Sequence, residues 1–535
     1  NYVGAVIEKA MNVDESERRY SASKSKKAVD FAKADFEKMQ KRLQGVNDKY
    51  AVTSDIGEKR RIFNNNILEM ARKKNFDFLE KEDMIFLKVH YVDALTRIIT
   101  AQNIDVNNID AETLESIRQH AVKVAKAATY RDNNALAEFI TSAQRRAERS
   151  DNRLLRATAV GMESVMPFKK TPLNIAKQGV IYSPVGLMNG VYKLLRNLHD
   201  GSASTAEVVD ALSKGLVGTA LTMLGLFLAS KGLLRGGDDE QKKKRDFDTL
   251  LGKQSFSFVF GDNSYTIDWM VPSALPLFVG CELFNLTKDE FKVRDVAEAL
   301  SKLSNPLLEL SVFSGISDLI SSAQYRGTQA LTAVTTDMAM SYVLQAFPTL
   351  GGQFARIVDG SRREYYYNNK QSQLPKGLQQ LFGRIAAKIP FAGMLMGYEK
   401  SVDDWGRDKT YGSLPERVFE NTVSPGYYSK YNYTEVDREL ERLYEATGET
   451  EALPRSQGKT IVSDKVAYDL TPEEYAKVKR LRGQKSYELI KELISSTKYK
   501  NMSDDDRVKA IKKCYDNAYK YAKEQTLDAI KSNRN

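Results

Sequence analysis

The chain has 535 residues, more than a single hydrophobic core usually organises, so several domains are expected. Hydrophobic residues make up 42% and charged residues 28%, a composition that excludes wholesale disorder. The net charge of +10 arises from 80 Lys and Arg set among 70 Asp and Glu; it permits weak contact with DNA or anionic lipid and selects neither.

The two cysteines, Cys281 and Cys514, offer no disulfide framework, which fits folding in a reducing cytoplasm. No signal peptide opens the sequence. Asn1 stands first in place of Met, which reads as a proteolytic product or part of something longer.

From residue 1 to about 156 the pattern is helix after helix. Val29, Ala32, Phe36, Met39, Leu43, Val46 and Tyr50 recur at three- and four-residue spacing, an apolar stripe on one helix face. Leu87, Tyr91, Leu95, Ile98 and Ile99 repeat it, and Asp110 is placed to cap a helix carrying Leu114, Ile117, Val122 and Ala125. Leu136, Phe139, Ile140 and Ala143 suggest a further helix. Pro167, Pro172 and Pro184, with Gly179 and Gly186, then mark a linker or domain start.

The most apolar stretch follows. Residues 215–230 (GLVGTALTMLGLFLAS) carry no charge and are flanked by Lys214 and Lys231. As a helix the run would extend roughly 24 Å at ~1.5 Å per residue, short of the ~30 Å hydrocarbon core of a bilayer. Its glycines and alanines suit close packing in protein or in lipid. Two readings stay open, a buried hairpin helix and a membrane-capable one, with Leu216, Val217, Leu221, Leu224, Leu226, Phe227 and Leu228 as the contacting side chains. Residues 269–286, apolar but broken by Pro272 and Pro276, are the expected packing partner. The intervening residues 236–245 (GGDDEQKKKR) read as an exposed, mobile loop in which Lys242, Lys243, Lys244 and Arg245 offer a weak polyanion contact. Residues 255–260 and 265–270, joined by Gly261 to Ser264, form the one clear β-hairpin signal.

Helices resume at 295–355, and the last third is rich in aromatics interleaved with basic residues, including Tyr365, Trp405, Tyr427 and Tyr433. That mixture suits an interaction surface or the stacking of nucleic acid. Thr471-Pro472-Glu473-Glu474 is a capping box with proline at the first helical position. Ser503 with Asp506 repeats the device.

No chemistry-bearing motif appears. His90, His120 and His199 lie in no metal-ligand spacing, neither cysteine has a CxxC partner, and no phosphate loop or nucleophile elbow is present. Gly351-Gly352 reads as a turn. Catalytic, cofactor and metal residues are therefore all predicted as none, and the chain is not expected to be an enzyme.

Several blocks in order do carry a resemblance. They are Phe168-Lys169-Lys170-Thr171-Pro172-Leu173-Asn174-Ile175, Tyr182-Ser183-Pro184, Gly352-Gln353-Phe354-Ala355-Arg356 with Asp359 and Arg362, and Ile389-Pro390. After them come Asp403-Asp404-Trp405-Gly406, Ser424-Pro425-Gly426, Glu439 to Tyr444 with Leu453-Pro454, and Leu470-Thr471-Pro472-Glu473-Glu474-Tyr475 with Gly483-Gln484. Together, over residues 165–530, these resemble the C-terminal region of the large polyvalent proteins of bacteriophages; the N-terminal effector region of that family is missing here. The resemblance implies a virion protein, an internal cargo or ejection protein of the head-portal region delivered with the genome. A structural portal or tail component and a membrane-active pore protein are the alternatives. It implies other virion proteins, copies of itself, viral DNA bound non-specifically and the host membrane as partners, and the virion and then the host envelope or cytoplasm as its locations.

The sequence thus predicts a mainly α fold: multi-domain helical bundles with one short β-hairpin. The expected divisions are 1–156, an N-terminal helical bundle; 165–300, the apolar segment with the hairpin at 255–270; 301–430, a helical region with Pro and Gly breaks; and 431–535, a C-terminal helical module.

Overall fold

A computed structural model describes residues 1–43, 66–129, 177–239, 241–271, 273–286, 349–365, 383, 385–463 and 465–532. In chain order the helices are α1 (Tyr2–Ala10), α2 (Lys26–Leu43), α3 (Asn66–Ala101), α4 (Ala111–Ala128), α5 (Pro184–Asp200) and α6 (Thr205–Ser230). There follow α7 (Lys242–Leu251), α8 (Leu275–Leu286), α9 (Thr349–Val358), α10 (Ala392–Leu395) and α11 (Leu414–Thr422). The last are α12 (Glu435–Thr447), α13 (Pro472–Ser495), α14 (Thr497–Lys500) and α15 (Asp504–Ser532). Strands β1 (Leu234–Arg235), β2 (Ser257–Phe260), β3 (Asn263–Thr266) and β4 (Tyr428–Lys430) form one antiparallel sheet, and β5 (Thr460–Ser463) with β6 (Val466–Asp469) a second. The fold is mainly α with small antiparallel sheets, as the periodicities predict.

The chain groups into two compact units, each discontinuous: residues 1–231 with 270–346, and 232–269 with 347–535. The hairpin, expected to belong with the apolar segment at 165–300, is therefore part of the C-terminal half.

In the first unit, α2, α3 and α4 share one core. Ala32, Phe36 and Met39 are buried as expected, but Val29 is half-exposed and Ala28 takes the seam position. Leu87, Tyr91, Leu95, Ile98 and Ile99 are all buried, as are Ile117, Val122 and Ala125. Val46, Tyr50 and the helix expected at 136–143 lie outside the described residues. Asp110 caps α4, accepting from the Thr113 amide at 2.8 Å. The core also encloses a charge that the apolar pattern does not announce. Asp35 of α2 is buried, accepts from Tyr91 Oη of α3 at 2.7 Å, and is gripped by Arg118 of α4, whose Nε lies 3.0 Å from Oδ2. Burial and the adjacent carboxylate push the Tyr91 hydroxyl well above its ordinary value, so it stays a donor.

In the second unit, Phe247 and Leu251 of α7 join Trp405, Leu440, Leu443, Ile490, Ile511 and Tyr515 in one core. Trp405 reaches it from a turn that Asp403 closes, accepting from the Trp405 and Arg407 amides at 2.9 and 2.8 Å. The indole Nε1 then donates to the buried Asp437 Oδ1 at 3.0 Å. Both predicted caps form: Thr471 and Glu474 make the capping box of α13, and Ser503 Oγ accepts from the Asp506 amide at 3.3 Å. The hairpin forms with a tighter loop than expected. Gly261 and Asp262 alone connect the strands, while Asn263 and Ser264 pair with Phe260 and Val259. Glycine at the first loop position with φ +59° suits the type II′ geometry that matches strand twist. Gly351 and Gly352 lie inside α9 and are not a turn before it.

Asp35→Ala should lower the stability of the first unit by ~3–5 kcal/mol, because it strands Arg118 and Tyr91 in a closed core. Asp35→Leu combined with Arg118→Met should recover most of the loss. Chemical denaturation of the three proteins compares them directly, and equal losses in the single and double variants would count against this account.

Candidate functional site: an apolar helical hairpin

Ser183 opens α5, its side chain accepting from the Val185 and Gly186 amides with Pro184 at the first helical position. Gly201, at φ +65°, closes α5, and the Ser204–Glu207 capping box opens α6 a few residues later. So short a turn forces α5 and α6 into an antiparallel hairpin.

What holds the hairpin is backbone meeting backbone. The buried positions of α6 beyond its first turns are Ser213, Gly215, Gly218, Thr222, Gly225 and Ala229, a seam of small residues at three- and four-residue spacing. A Cβ on Gly215 would stand 2.4 Å from Leu187 Cα, and one on Gly218 2.2 Å from the Tyr182 carbonyl carbon. On the α8 side, a Cβ on Gly225 would stand 1.9 Å from the Leu277 carbonyl oxygen, and one on Gly280 1.9 Å from that of Thr222. The pairings 225 with 277 and 222 with 280 run in opposite directions, so α8 is antiparallel to α6.

The large side chains go the other way. Leu216, Val217, Leu224, Leu226 and Phe227 are exposed, and Leu221 and Leu228 half-buried. Met223 is 67% exposed. On α5, Met188, Val191, Tyr192, Leu195 and Leu198 are exposed at helical spacing, with Leu198 at 73%. The expected packing of α6 against 269–286 therefore occurs, but it leaves the bulky face of α6 uncovered. Among the described residues α6 is the one helix long and apolar enough to cross a membrane, and only 28% of its most apolar window is buried. A core helix in water would bury its leucines and expose its small or polar residues; α6 inverts that arrangement.

The polar end of α6 is tied to the N-terminal segment. Tyr20 Oη donates to Asp210 Oδ1 at 2.8 Å, Lys214 Nζ sits 2.8 Å from Asp210 Oδ2, and the Tyr20 ring is packed on Gly4 of α1. Burial first, and Asp210 second, hold the Tyr20 hydroxyl far above its ordinary value, so it keeps its proton. His120 of α4 is pushed down to about 4 by burial, with Arg19, Lys123 and Arg97 adding to the effect and Asp210 opposing it.

The predicted basic run behaves differently from an exposed loop. Lys242 to Arg245 begin α7. Lys244 pairs with the buried Asp248 at 2.5 Å and lies 3.6 Å from Glu441; Lys242 pairs with Asp246; Arg245 Nη1 donates to the Asp239 carbonyl at 3.0 Å. Asp248 also takes Arg235 at 2.5 Å. Lys244 is thus held inside the unit, whereas Lys242 and Lys243 are exposed. His90 and His120 lie in the first bundle and His199 at the exposed end of α5; Cys281 is buried in α8 and Cys514 half-buried in α15. Among the described residues no three His, Cys, Asp or Glu side chains are grouped as metal ligands would be.

No protein-family model, curated protein or solved structure matches the chain.

Substitutions should report the inversion. Gly225→Val or Gly218→Val must push α6 off a neighbouring backbone and should lower the melting temperature by several degrees. Leu224→Ala or Phe227→Ala on the open face should leave it nearly unchanged. The reverse ranking in a thermal melt would mean that the helix is packed the ordinary way.

His120 supplies a pH signature. Its native value of about 4 lies below the 6.5 of an unperturbed histidine, so the unfolded chain binds the proton first as pH falls. Stability is therefore full above pH 6.5 and drains away down to pH ~4, by up to roughly 3 kcal/mol. Denaturant melts of wild type and His120→Gln across that range should diverge; parallel curves would remove His120 as the cause.

Proposed function

We propose that the chain is a non-enzymatic bacteriophage virion protein, an internal cargo or ejection protein delivered with the genome, and that its α5–α6 face contacts the host membrane during delivery. One observation carries the membrane half: α6 packs through glycine and alanine and leaves leucine, methionine and phenylalanine outside. That is the arrangement in which lipid, not protein, completes the burial. The virion setting rests on the resemblance of residues 165–530 to the large polyvalent proteins. Other virion proteins are its expected partners, with the host envelope as its destination. For non-specific DNA contact the exposed Lys242 and Lys243 are the cations of the basic run that remain accessible, since Lys244 is held by Asp248.

Flotation of the full chain with vesicles of phosphatidylethanolamine and phosphatidylglycerol tests the membrane half, at neutral pH and after mild acid or warming. Wild type should rise with the lipid, and Leu224→Asp with Phe227→Asp should cut the bound fraction at least tenfold, each lost apolar contact being worth ~1.5–3 kcal/mol. A chain that stays at the bottom under every condition refutes the contact. Peptides of this chain in purified phage particles would support the setting, and their absence from particles produced in cells that express it would end it.

A further inference from the structure

The second unit carries a different apolar projection, built on residues 389–396. The backbone turns sharply at Phe391, which holds φ +65°, a conformation that a bulky residue adopts only when its surroundings impose it. A single helical turn follows, α10, and Gly397 at φ +66° turns the chain back. Ala392 and Gly393 form the buried root. Ile389, Phe391, Met394, Leu395 and Met396 project from it, and Leu395 at 85% is the most exposed of the large hydrophobic residues described. No charged residue stands among these eight positions.

The root is rigid. The Tyr398 amide donates to the Gly393 carbonyl at 3.0 Å, and Arg363 Nη1 donates to the Tyr398 carbonyl at 2.7 Å. Tyr365 and Tyr398 lie with ring centroids 5.3 Å apart, and a Cβ on Gly393 would come 2.5 Å from Tyr365 Oη, so the tyrosine pair sits directly against the root. The projection therefore has an apolar tip and a root against which Tyr365, Tyr398 and Arg363 are packed. Charged groups stand around this root: Arg363 lies 2.5 Å from Asp359 Oδ2, Lys400 lies 3.8 Å from Asp408, and Glu364 accepts from Ser401.

We infer that residues 389–396 are a second membrane-contacting element, an apolar tip that enters the interfacial zone of a bilayer with Tyr365 and Tyr398 at headgroup level. It stands on residues distinct from the α5–α6 face and does not depend on that face being correct. An apolar tip above a root of tyrosines and charged groups follows the polarity gradient of a membrane interface. A second copy of the chain is a poorer occupant, because a stable protein interface draws ~20–30 residues from each side and the tip offers five. Because the tip itself carries no charge, its insertion is hydrophobic and insensitive to salt.

The test places an environment-sensitive nitrobenzoxadiazole label on the full chain, at Leu395→Cys or separately at Phe227→Cys, with Cys514→Ser in both. Vesicles of phosphatidylcholine and phosphatidylglycerol are added at low and at 1 M salt. The label at 395 should shift to the blue and brighten severalfold at both salt concentrations. Leu395→Ser with Met396→Ser, both at exposed positions, should cut vesicle binding about tenfold. A label at 395 that stays water-like while the chain floats with vesicles overturns the inference, as does a shift that needs no lipid and grows with protein concentration. A response at 395 but not at 227 upholds this element and removes the α5–α6 face; the opposite result removes the tip alone.

Discussion

The architecture of the first unit depends on how closely two helices can approach α6. At Gly218 the neighbour is the backbone around Tyr182, and at Gly225 it is the Leu277 carbonyl; any side chain at either position would drive the helices apart. Contact at that range gains dispersion along the whole backbone, which compensates for the absence of interlocking leucines in the seam. It also decides where the leucines go. With the small residues at 215, 218, 222, 225 and 229 turned inward, the large ones at 216, 223, 224 and 227 have only the outside left. The apolar face is thus a consequence of the seam.

Charge is handled in the opposite manner, by long-range pairing inside each unit. Asp35 is satisfied by groups on two other helices, and Asp248 gathers Arg235 and Lys244 while Lys244 also approaches Glu441. The Lys244 ammonium lies over the rings of Phe247 and Tyr444 as well, at 5.8 and 5.6 Å. Of the densest basic run, Lys244 is drawn into these buried pairs while Lys242 and Lys243 stay exposed.

Helix positions, caps and the central hairpin were legible in the sequence because each depends on neighbours a few residues away. Asp110, Thr471 with Glu474, Ser503 with Asp506, and Gly261-Asp262 are local codes. The outer strands of the first sheet were not legible. β1 has two residues, and β4 pairs Tyr428 with a Tyr265 that is far away in the chain. The hairpin β5–β6 was missed because Thr460 to Asp469 mixes polar and apolar residues without clean alternation. The apolar character of 215–230 was plain, but its orientation was not. A helix apolar all round gives no period from which to say which side is buried, and only the positions of Gly186, Gly190 and Gly280 on the partner helices decide it. The tip at 389–396 was invisible for a similar reason: a short apolar run reads as core unless the backbone is known to turn outward at Phe391.

Connectivity and charge together limit how α5 and α6 can meet a bilayer. Beyond Lys231 the chain enters β1 and then α7, whose Phe247 and Leu251 are core residues of the second unit. The N-terminal foot of α5 is fixed by the contact of Tyr182 with Gly218. Only the turn at 201–204 is free of such commitments, yet it is the polar end: Arg196, His199, Asp200, Glu207, Asp210 and Lys214 surround it. Carrying these charges through the hydrocarbon centre would cost ~3 kcal/mol for each ionised group, more than the exposed leucines return. If the hairpin meets lipid as proposed, it would in this conformation lie along the interface, with Met188, Leu195, Leu224 and Phe227 lowered into the acyl boundary and the charged turn at headgroup level. On the proposed membrane contact, full crossing would first require the Tyr20–Asp210–Lys214 linkage to open, so the N-terminal segment would act as a restraint on α6.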